Sequence, residues 1–306
     1  MIKRMLLSLA AILWVFIVNA QRKAFACTPE WLEKIEKIAP DTPVTQPKKE
    51  RTVLVFDKFT GYQHWAIPHV TAVIQLLGAK SGAYTTDVTR DLSVFDPSIL
   101  EQYDAVVLNN NCSIHPRRNQ ILDMLDEDKS LTEAQKIKKA AQLEAHLLNY
   151  VKNGGGLMVV HGAVTMLNGS HVFNQMVGAA FDYHPPQQGI SLELAEQGHP
   201  LLEGFEGKSF VHVDEPYIFK SPYEEKNFRP LLYMDTDKLT KKRKPIDEKI
   251  KYLSWIKRFG RGRVFFVSPS HNAQSFEDVR LLKYYLNGAQ YVLGDLKCDD
   301  APLNNK

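Results

Sequence analysis

The chain has 306 residues, of which 44% are hydrophobic and 24% are charged, a composition typical of a folded globular protein. Its 38 basic residues nearly balance its 35 acidic residues, so the net charge of +3 gives no reason to expect a nucleic-acid partner. The densest basic run, at residues 241–244, lies between Asp237 and Asp247, and we expect it to be a solvated loop.

The first twenty residues have the layout of a secretory signal peptide. Lys3 and Arg4 precede an apolar stretch over residues 5–18, and Ala20 closes a cleavage motif of small residues. The stretch is shorter than the roughly 20 residues that span a bilayer, so we expect no membrane span in the mature chain. The sequence therefore predicts export to the periplasm or the extracellular space. Lipidation at Cys27 is the alternative, although the aliphatic residue that a lipobox has three places earlier is missing.

Export determines how the three cysteines are interpreted. Cys27 and Cys298 lie near the two ends of the chain, and the termini of a domain are often close together. In an oxidising compartment these two residues could form a disulfide, with two unpaired thiols as the alternative. Cys112 would then remain single, and we expect it to be a small thiol in the core.

From residue 52 onward, predicted strands and helices alternate. The first half of the chain predicts, in order, strand 52–56, helix 68–77, a weak strand at 84–91, strand 103–110 and helix 131–151. Three glycines at residues 154–156 end that helix, as glycine does at a helix C-terminus, and the strand "GLMVVHG" follows.

The second half continues with a short helix and several strands. It predicts a helix at 172–177, strands in "ISLELA" and "SFVHVDEPYIF", a hairpin-like pair in "LSWIKRFGRGRVFFVSPSH" and a last helix at 276–293. Because near-continuous apolar strands alternate with helices, we expect one α/β domain whose mostly parallel central sheet is covered on both sides. The predicted divisions are a signal peptide at 1–20, an N-terminal segment at 21–50, the domain at 51–296 and a tail at 297–306.

Polar residues follow many of the predicted strands. In open parallel sheets, ligands bind beyond the carboxyl ends of the strands. His161 stands at the end of an apolar strand, where an unpaired imidazole needs a hydrogen bond or a metal ion. The further candidates at this edge are Tyr62, His64, Asn110, His184, Asp214, Glu215, Tyr217 and His271. Each has a structural alternative, such as a helix cap, a turn, a solvated loop end or core packing.

These residues also carry a resemblance to a known family. The segments "VLVFDKFTGYQHWAIP", "NYVKNGGGLMVVHGA", "MVGAAFDYHP", "VDEPYIF" and "GRGRVFFVSPSHNAQSF" are similar, in this order, to motifs of the trehalose-utilisation (ThuA-like) domain. The resemblance covers residues 51–293 and implies a flavodoxin-like three-layer sandwich related to the class I glutamine amidotransferases. Those enzymes carry a nucleophilic cysteine at the turn where this chain has His161, so we do not expect a glutaminase.

The resemblance implies an activity on sugars. The family is associated with bacterial use of trehalose and other disaccharides through sugars oxidised at the 3-position, and some members hold a metal ion with histidines. The positions that match the family's polar edge are His64, His161, His184, Glu215 and His271. The chain departs from the family at Val164-Thr165, where an acidic residue is often found, and in a charge-rich insertion at residues 238–251.

We therefore expect a secreted enzyme that acts on 3-keto glycosides. The 3-ketone acidifies the neighbouring C–H group, so that a base can remove the proton and the glycosidic bond can leave by elimination; hydrolysis is the other outcome. The residues assigned to catalysis are His161, His184, Glu215 and His271. The residues assigned to binding a small-molecule sugar are Tyr62, His64, Asn110, Asp214 and Tyr217.

A divalent metal ion is the expected cofactor, with zinc the first choice. His161, His184 and Glu215 are its predicted ligands, and the ion would stabilise the enolate oxygen as a Lewis acid. One alternative is a non-catalytic carbohydrate-binding protein, which would keep the polar edge without needing a base. Another is a hydrolase with paired carboxylates, but Asp214 directly beside Glu215 does not provide the separation which that mechanism uses.

Overall fold

The computed structural model describes residues 23–303, and the predicted signal peptide at 1–20 lies outside them. The helices are α1 (Pro29–Ile38), α2 (Ile67–Ser81), α3 (Pro97–Leu100), α4 (Gln120–Leu125), α5 (Glu133–Lys152), α6 (His171–Val177) and α7 (Val279–Leu293). The strands are β1 (Thr52–Phe56), β2 (Thr85–Thr89), β3 (Ala105–Asn109), β4 (Gly156–Val160), β5 (Ala180–Tyr183), β6 (Gln188–Leu194), β7 (Phe210–Asp214), β8 (Ile218–Lys220), β9 (Arg229–Asp235), β10 (Ile250–Phe259) and β11 (Gly262–Val267). Within residues 23–303, no helix has both the length and the apolar character needed to cross a membrane.

A nine-stranded sheet lies at the centre, in the order β2-β1-β3-β4-β11-β10-β9-β6-β7. The strands from β2 to β11 pair in parallel, and those from β10 to β7 extend the sheet with antiparallel pairs. Every residue of β3 and β4 is buried, as expected for apolar strands that are covered on both faces. The predicted α/β class is confirmed, while the antiparallel half was predicted only as far as the hairpin of β10 and β11.

Helices cover the parallel half of the sheet in two groups. One group contains α1, α2 and α7, and the other contains α3, α4 and α5. The helix α5 begins with a capping box formed by Thr132 and Gln135, and Gly154 follows its end with a φ of 123°, so the glycine run ends the helix as predicted. The segment at 21–50, for which we predicted no element, contains α1, and its Trp31 and Ile35 are buried in the core.

The antiparallel half folds back towards the end of the parallel half. The Asn272 side chain, beyond β11, donates a hydrogen bond of 2.7 Å to the carbonyl of Val213 in β7, and His212 of β7 contacts the Ser275 hydroxyl at 3.1 Å. These contacts bring the end of β7 next to the end of β11. The predicted strand "SFVHVDEPYIF" is therefore two strands, β7 and β8, which belong to different sheets and are separated by residues 215–217.

The predicted disulfide between Cys27 and Cys298 is not present, since both residues and Cys112 are free thiols. Cys27 precedes α1, which packs against the segment just before α7. Cys298 follows α7 and lies near Arg258 and Arg263. The 15 residues of α7 correspond to about 22 Å of helix, which separates the surroundings of the two thiols.

The loop after β1 lies directly against the loop after β3. The amide of Gly61 donates to the carbonyl of Cys112 at 2.8 Å. A Cβ atom at Gly61 would lie 2.3 Å from the carbonyl oxygen of Ser113, so only glycine permits this approach. Because the loop carries Tyr62 and His64, the contact fixes two of the predicted site residues.

We expect Gly61→Ala to lower the free energy of unfolding by about 2 kcal/mol, because the backbone of one loop must move away from the other. Gly189→Ala is the matched control, since a Cβ atom there meets nothing within 4 Å, and it should change stability by less than about 0.5 kcal/mol. Urea unfolding followed by circular dichroism measures both values. Equal values for the two variants would contradict the tight contact.

Candidate functional site

Four histidines from separate segments surround one carboxylate, and three of them lie at the carboxyl ends of parallel strands. His64 follows β1, His161 follows β4, His184 follows β5 and His271 follows β11, while Glu215 lies in the turn between β7 and β8. The Glu215 Oε2 atom is 3.3 Å from His161 Nε2, 3.2 Å from His271 Nδ1 and 4.0 Å from His64 Nε2. Its Oε1 atom is 3.7 Å from His184 Nε2. The structure thus brings these five predicted residues together.

His161 is fixed both by its backbone and by its ring. It is fully buried, and its φ of 47° is a left-handed conformation that costs a non-glycine residue about 1 kcal/mol or more. Its Nδ1 lies 2.7 Å from the carbonyl oxygen of Ser268, so Nδ1 carries the proton and donates it. The lone pair of Nε2 then points towards Glu215. Tyr217 supports the ring, with 4.3 Å between the ring centroids.

The nitrogens that face Glu215 fit a metal ion. His161 Nε2 and His271 Nδ1 are buried and have no hydrogen-bond partner. A lone pair that faces a carboxylate is repelled unless a proton or a cation lies between them. One ligand atom from each of His64, His161, Glu215 and His271 lies within 4.8 Å of the others. Three imidazoles and one carboxylate suit zinc as well as iron, copper or nickel, so this buried group can hold a divalent metal ion.

Burial and mutual contact set the charges in this group. Burial, together with the neighbouring His161 and His271, lowers the pKa of His64 well below its usual value. Burial would raise the pKa of Glu215, but His161 and His271 outweigh it and lower the pKa. Burial would lower the pKa of His271, but the adjacent Glu215 carboxylate raises it. The lowered pKa of Glu215 therefore keeps its carboxylate ionised.

The ring of His64 packs into the turn that follows β4. Its Nδ1 is 3.6 Å from the sulfur of Cys112, which in turn contacts the carbonyl of Gly162 at 3.5 Å. A Cβ atom at Gly162 would lie 2.7 Å from that sulfur and 2.7 Å from His64 Cε1. Burial raises the pKa of Cys112 to about 11, so the thiol stays protonated. Cys112 is thus a neutral packing residue behind the imidazole.

His184 differs from the other three histidines because it lies at the mouth of the site. Its side chain is 26% exposed, and its Nδ1 donates to the carbonyl of Pro185 at 2.9 Å. We predicted it as a metal ligand with His161 and Glu215, but it is absent from the four-residue group, where His64 and His271 stand instead. Its unprotonated Nε2 is directed towards Glu215 from the open side.

An open cavity of about 390 Å³ adjoins the group. Its lining residues are Tyr62, His184, Pro186, Gln187, Glu215, Lys241, Arg243 and His271. The Tyr62 ring is 60% exposed and meets His64 edge-on, so one face is available to a ligand. Lys241 and Arg243 are exposed, as expected for the basic run, but they also border the cavity.

Four residues that we predicted to bind substrate do not line this cavity, and His64, which belongs to the buried group, is one of them. Asn110 is fully buried, and its side-chain oxygen accepts a hydrogen bond of 3.2 Å from the amide of Gly162. Asp214 is buried, and its carboxylate accepts a hydrogen bond of 2.7 Å from the amide of Glu215. Tyr217 is 2% exposed. These residues hold the backbone and the rings of the site in position.

Two features of the site were missed from the sequence. The carbonyl of Ser268 orients His161, but a backbone acceptor carries no residue-type signal, and its position depends on the register of β11 against β4. Lys241 and Arg243 belong to the charge-rich insertion that the sequence analysis identified. Charge alone does not show which part of the protein surface such an insertion lies against.

Comparisons with known proteins identify the family and the fold of the chain. The family model described as "ThuA: Trehalose utilisation" matches residues 52–292. A ThuA-like protein from Bacteroides uniformis ATCC 8492 is 18% identical with a TM-score of 0.59, over 83% of this chain and 94% of that one. A ThuA-like protein from Parabacteroides merdae ATCC 43184 is 19% identical with a TM-score of 0.54, over 84% and 95%. At these identities the structural likeness shows the fold alone. A comparison with curated proteins finds no significant match.

We expect Asn110→Ala to lower the free energy of unfolding by about 2 kcal/mol. Roughly half comes from the lost hydrogen bond to the Gly162 amide, and the rest from placing alanine at a φ of 53°. Asn110→Gly loses the same hydrogen bond but tolerates the positive φ, so it should be about 1 kcal/mol more stable than the alanine variant. Urea titrations of both variants measure the difference, and alanine and glycine variants of equal stability would contradict the conformational part.

Proposed function

The chain belongs to the trehalose-utilisation (ThuA) family, and from that premise we propose that it is an enzyme that cleaves oxidised, 3-keto glycosides. The observation that carries the proposal is the convergence of four imidazoles on the Glu215 carboxylate beside an open cavity. Such a site provides a base and a place for positive charge next to a bound sugar. With the signal peptide predicted at residues 1–20, we propose that the enzyme is exported and works in the periplasm or outside the cell.

His184 is the proposed base. Its Nδ1 proton is engaged by the Pro185 carbonyl, so Nε2 is the free acceptor on the side of the cavity. Burial lowers the pKa of His184 below its usual value, which keeps the ring neutral at pH 7. Nε2 takes the proton from the carbon next to the 3-ketone, and the electrons of that C–H bond form the enolate. The enolate electrons then form a C=C bond to the anomeric carbon as the glycosidic C–O bond breaks. The aglycone oxygen takes the proton from the His184 imidazolium and leaves as an alcohol.

The enolate oxygen requires stabilisation while it carries negative charge. His64, His161, Glu215 and His271 would hold a divalent metal ion, for which zinc is our expectation, and such an ion supplies Lewis-acid stabilisation of that oxygen. The Ser268 carbonyl keeps His161 in the tautomer whose Nε2 lone pair faces the group. Tyr62 offers its exposed ring face to the sugar, as aromatic residues do in carbohydrate sites.

A hydrolase with two separated carboxylates is disfavoured. Glu215 is the one carboxylate among the residues that line the cavity. Asp214 is buried behind it and accepts a hydrogen bond from the Glu215 amide, so it cannot flank a glycosidic bond. The proposed elimination needs only one base and a stabilised oxygen.

Purified protein should retain about one divalent metal ion per chain after dialysis against metal-free buffer. Because His161→Ala and Glu215→Gln each remove a ligand, they should weaken retention tenfold or more, on the order of the effect known for metal-site substitutions. His171→Ala, at an exposed position on α6, is the control and should retain the ion. Elemental analysis by mass spectrometry measures the content, and full retention in His161→Ala would contradict the proposed ligand set.

Methyl 3-ketoglucoside should release methanol, whereas methyl glucoside should not, because only the ketone acidifies the neighbouring C–H group. Elimination leaves a C=C bond between that carbon and the anomeric carbon, so the sugar product should be an enone that has lost this hydrogen. We expect His184→Ala to retain metal and to lose on the order of a hundredfold in kcat, since it lacks only the base. Mass spectrometry follows both products, with His171→Ala again as control. Saturable sugar binding without turnover of either glycoside would favour the non-catalytic alternative.

A further inference from the structure

We propose that the natural substrate carries an anionic group, a carboxylate or a phosphate, which Lys241 and Arg243 bind at the mouth of the cavity. The inference rests on the proposed function, whose cavity it shares, and it adds the chemical class of the substrate. Both cations line the cavity together with Tyr62, His184 and Glu215. They therefore lie within reach of a substituent on a sugar that occupies this space.

Lys241 and Arg243 are not used for ion pairs within the part of the chain from 23 to 303. Three acidic residues that contact this segment pair with its other lysines. Lys244 pairs with Asp182 at 3.3 Å, and Lys249 lies 3.8 Å from Asp235 and 3.6 Å from Asp237. Two positive charges are thus left for a ligand to neutralise.

The loop that presents these cations is anchored by a buried glutamine. The Gln188 side chain is 2% exposed, and its oxygen accepts hydrogen bonds from the amides of Thr240 and Lys241 at 2.8 and 3.1 Å. Its amide nitrogen donates to the carbonyls of Lys241 and Pro186 at 2.8 and 3.0 Å. The start of the basic run is therefore tied to Pro186, which itself lines the cavity.

The Gln188 side chain also fixes the position of the basic loop relative to Glu215. Gln188 is the first residue of β6, and it pairs in register with Asp214 of β7, the neighbour of Glu215. The buried Gln188 side chain makes five hydrogen bonds, four to Thr240 and Lys241 and one to Pro186. A loop that served only to expose its charges to water would not need such an anchor. The position of Lys241 beside the site is thus built into the sheet.

The charge of the cavity favours an anion. Glu215 is the one acidic lining residue, whereas Lys241 and Arg243 contribute two positive charges to the same lining. A neutral sugar would leave the two cations at the mouth without a partner, whereas a carboxylate or a phosphate would satisfy both. Arginine presents a planar pair of donors that matches either oxyanion, and lysine adds a point charge.

The first test measures binding without chemistry. Methyl glucoside, methyl glucuronide and methyl glucoside 6-phosphate are titrated into the full protein by calorimetry. We expect wild type to bind at least one of the two anionic glycosides about tenfold or more tightly than the neutral one. This ratio of dissociation constants corresponds to the free energy of one hydrogen bond to a charged group. The glucuronide and the phosphate distinguish the two oxyanions. The double variant K241Q/R243Q should lose the preference.

Lys242→Gln is the matched control, because Lys242 belongs to the same exposed run but does not line the cavity. It should keep the preference for the anion. A wild type without any preference, or a double variant that keeps it, would overturn the inference.

The 3-keto forms of the same three glycosides separate this inference from the proposed function. Turnover of the neutral ketone as fast as the anionic ones would overturn the inference and leave the proposed function intact. Selective anion binding that depends on Lys241 and Arg243, without turnover of any ketone, would support the anion site. The same result would contradict the proposed enzymatic activity. Anion preference in both binding and turnover supports the two together.

Discussion

The buried carboxylate of Glu215 is the interaction on which the site depends. Removing such a group from water is costly unless positive charge or hydrogen-bond donors replace the water. Here the replacement comes from imidazoles that belong to four different loops, so each loop must take a defined position for the charge to be tolerated. The orphaned nitrogens of His161 and His271 show that the protein atoms alone leave this compensation incomplete. A bound cation would complete it, which would link the electrostatics of the fold to the proposed chemistry.

The positions of these imidazoles are maintained by close backbone packing. His161 and Asn110 both adopt positive φ at the ends of adjacent parallel strands, and Asn110 joins the two turns through the amide of Gly162. The glycines Gly61 and Gly162 allow approaches that a Cβ atom would prevent. Local strain of this kind persists only where the surrounding structure holds it in place. The well-packed parallel sheet below the site provides that rigidity.

The cavity is formed where the two halves of the sheet meet. The parallel half supplies His64, His161 and His271, while the antiparallel half supplies Glu215 from the turn after β7. The basic loop comes from the same half and is attached through Gln188. Residues of the proposed reaction therefore come from both halves of the sheet, whereas the basic loop comes from the antiparallel half.

The sequence by itself determined the α/β class, the parallel strands and the candidates His64, His161, His184, Glu215 and His271, because apolar periodicity and glycine positions report local structure and parallel strands end at a common edge. Only the tertiary structure decided their partners. The path of β7 beside the end of β11 brought Glu215 to the histidines. The tertiary structure also left His184 outside the group formed by His64, His161, Glu215 and His271. It buried three further candidates, Asn110, Asp214 and Tyr217. The length of α7 likewise separated the surroundings of Cys27 and Cys298. Such outcomes depend on contacts between residues that are distant along the chain, and a local pattern contains no record of them.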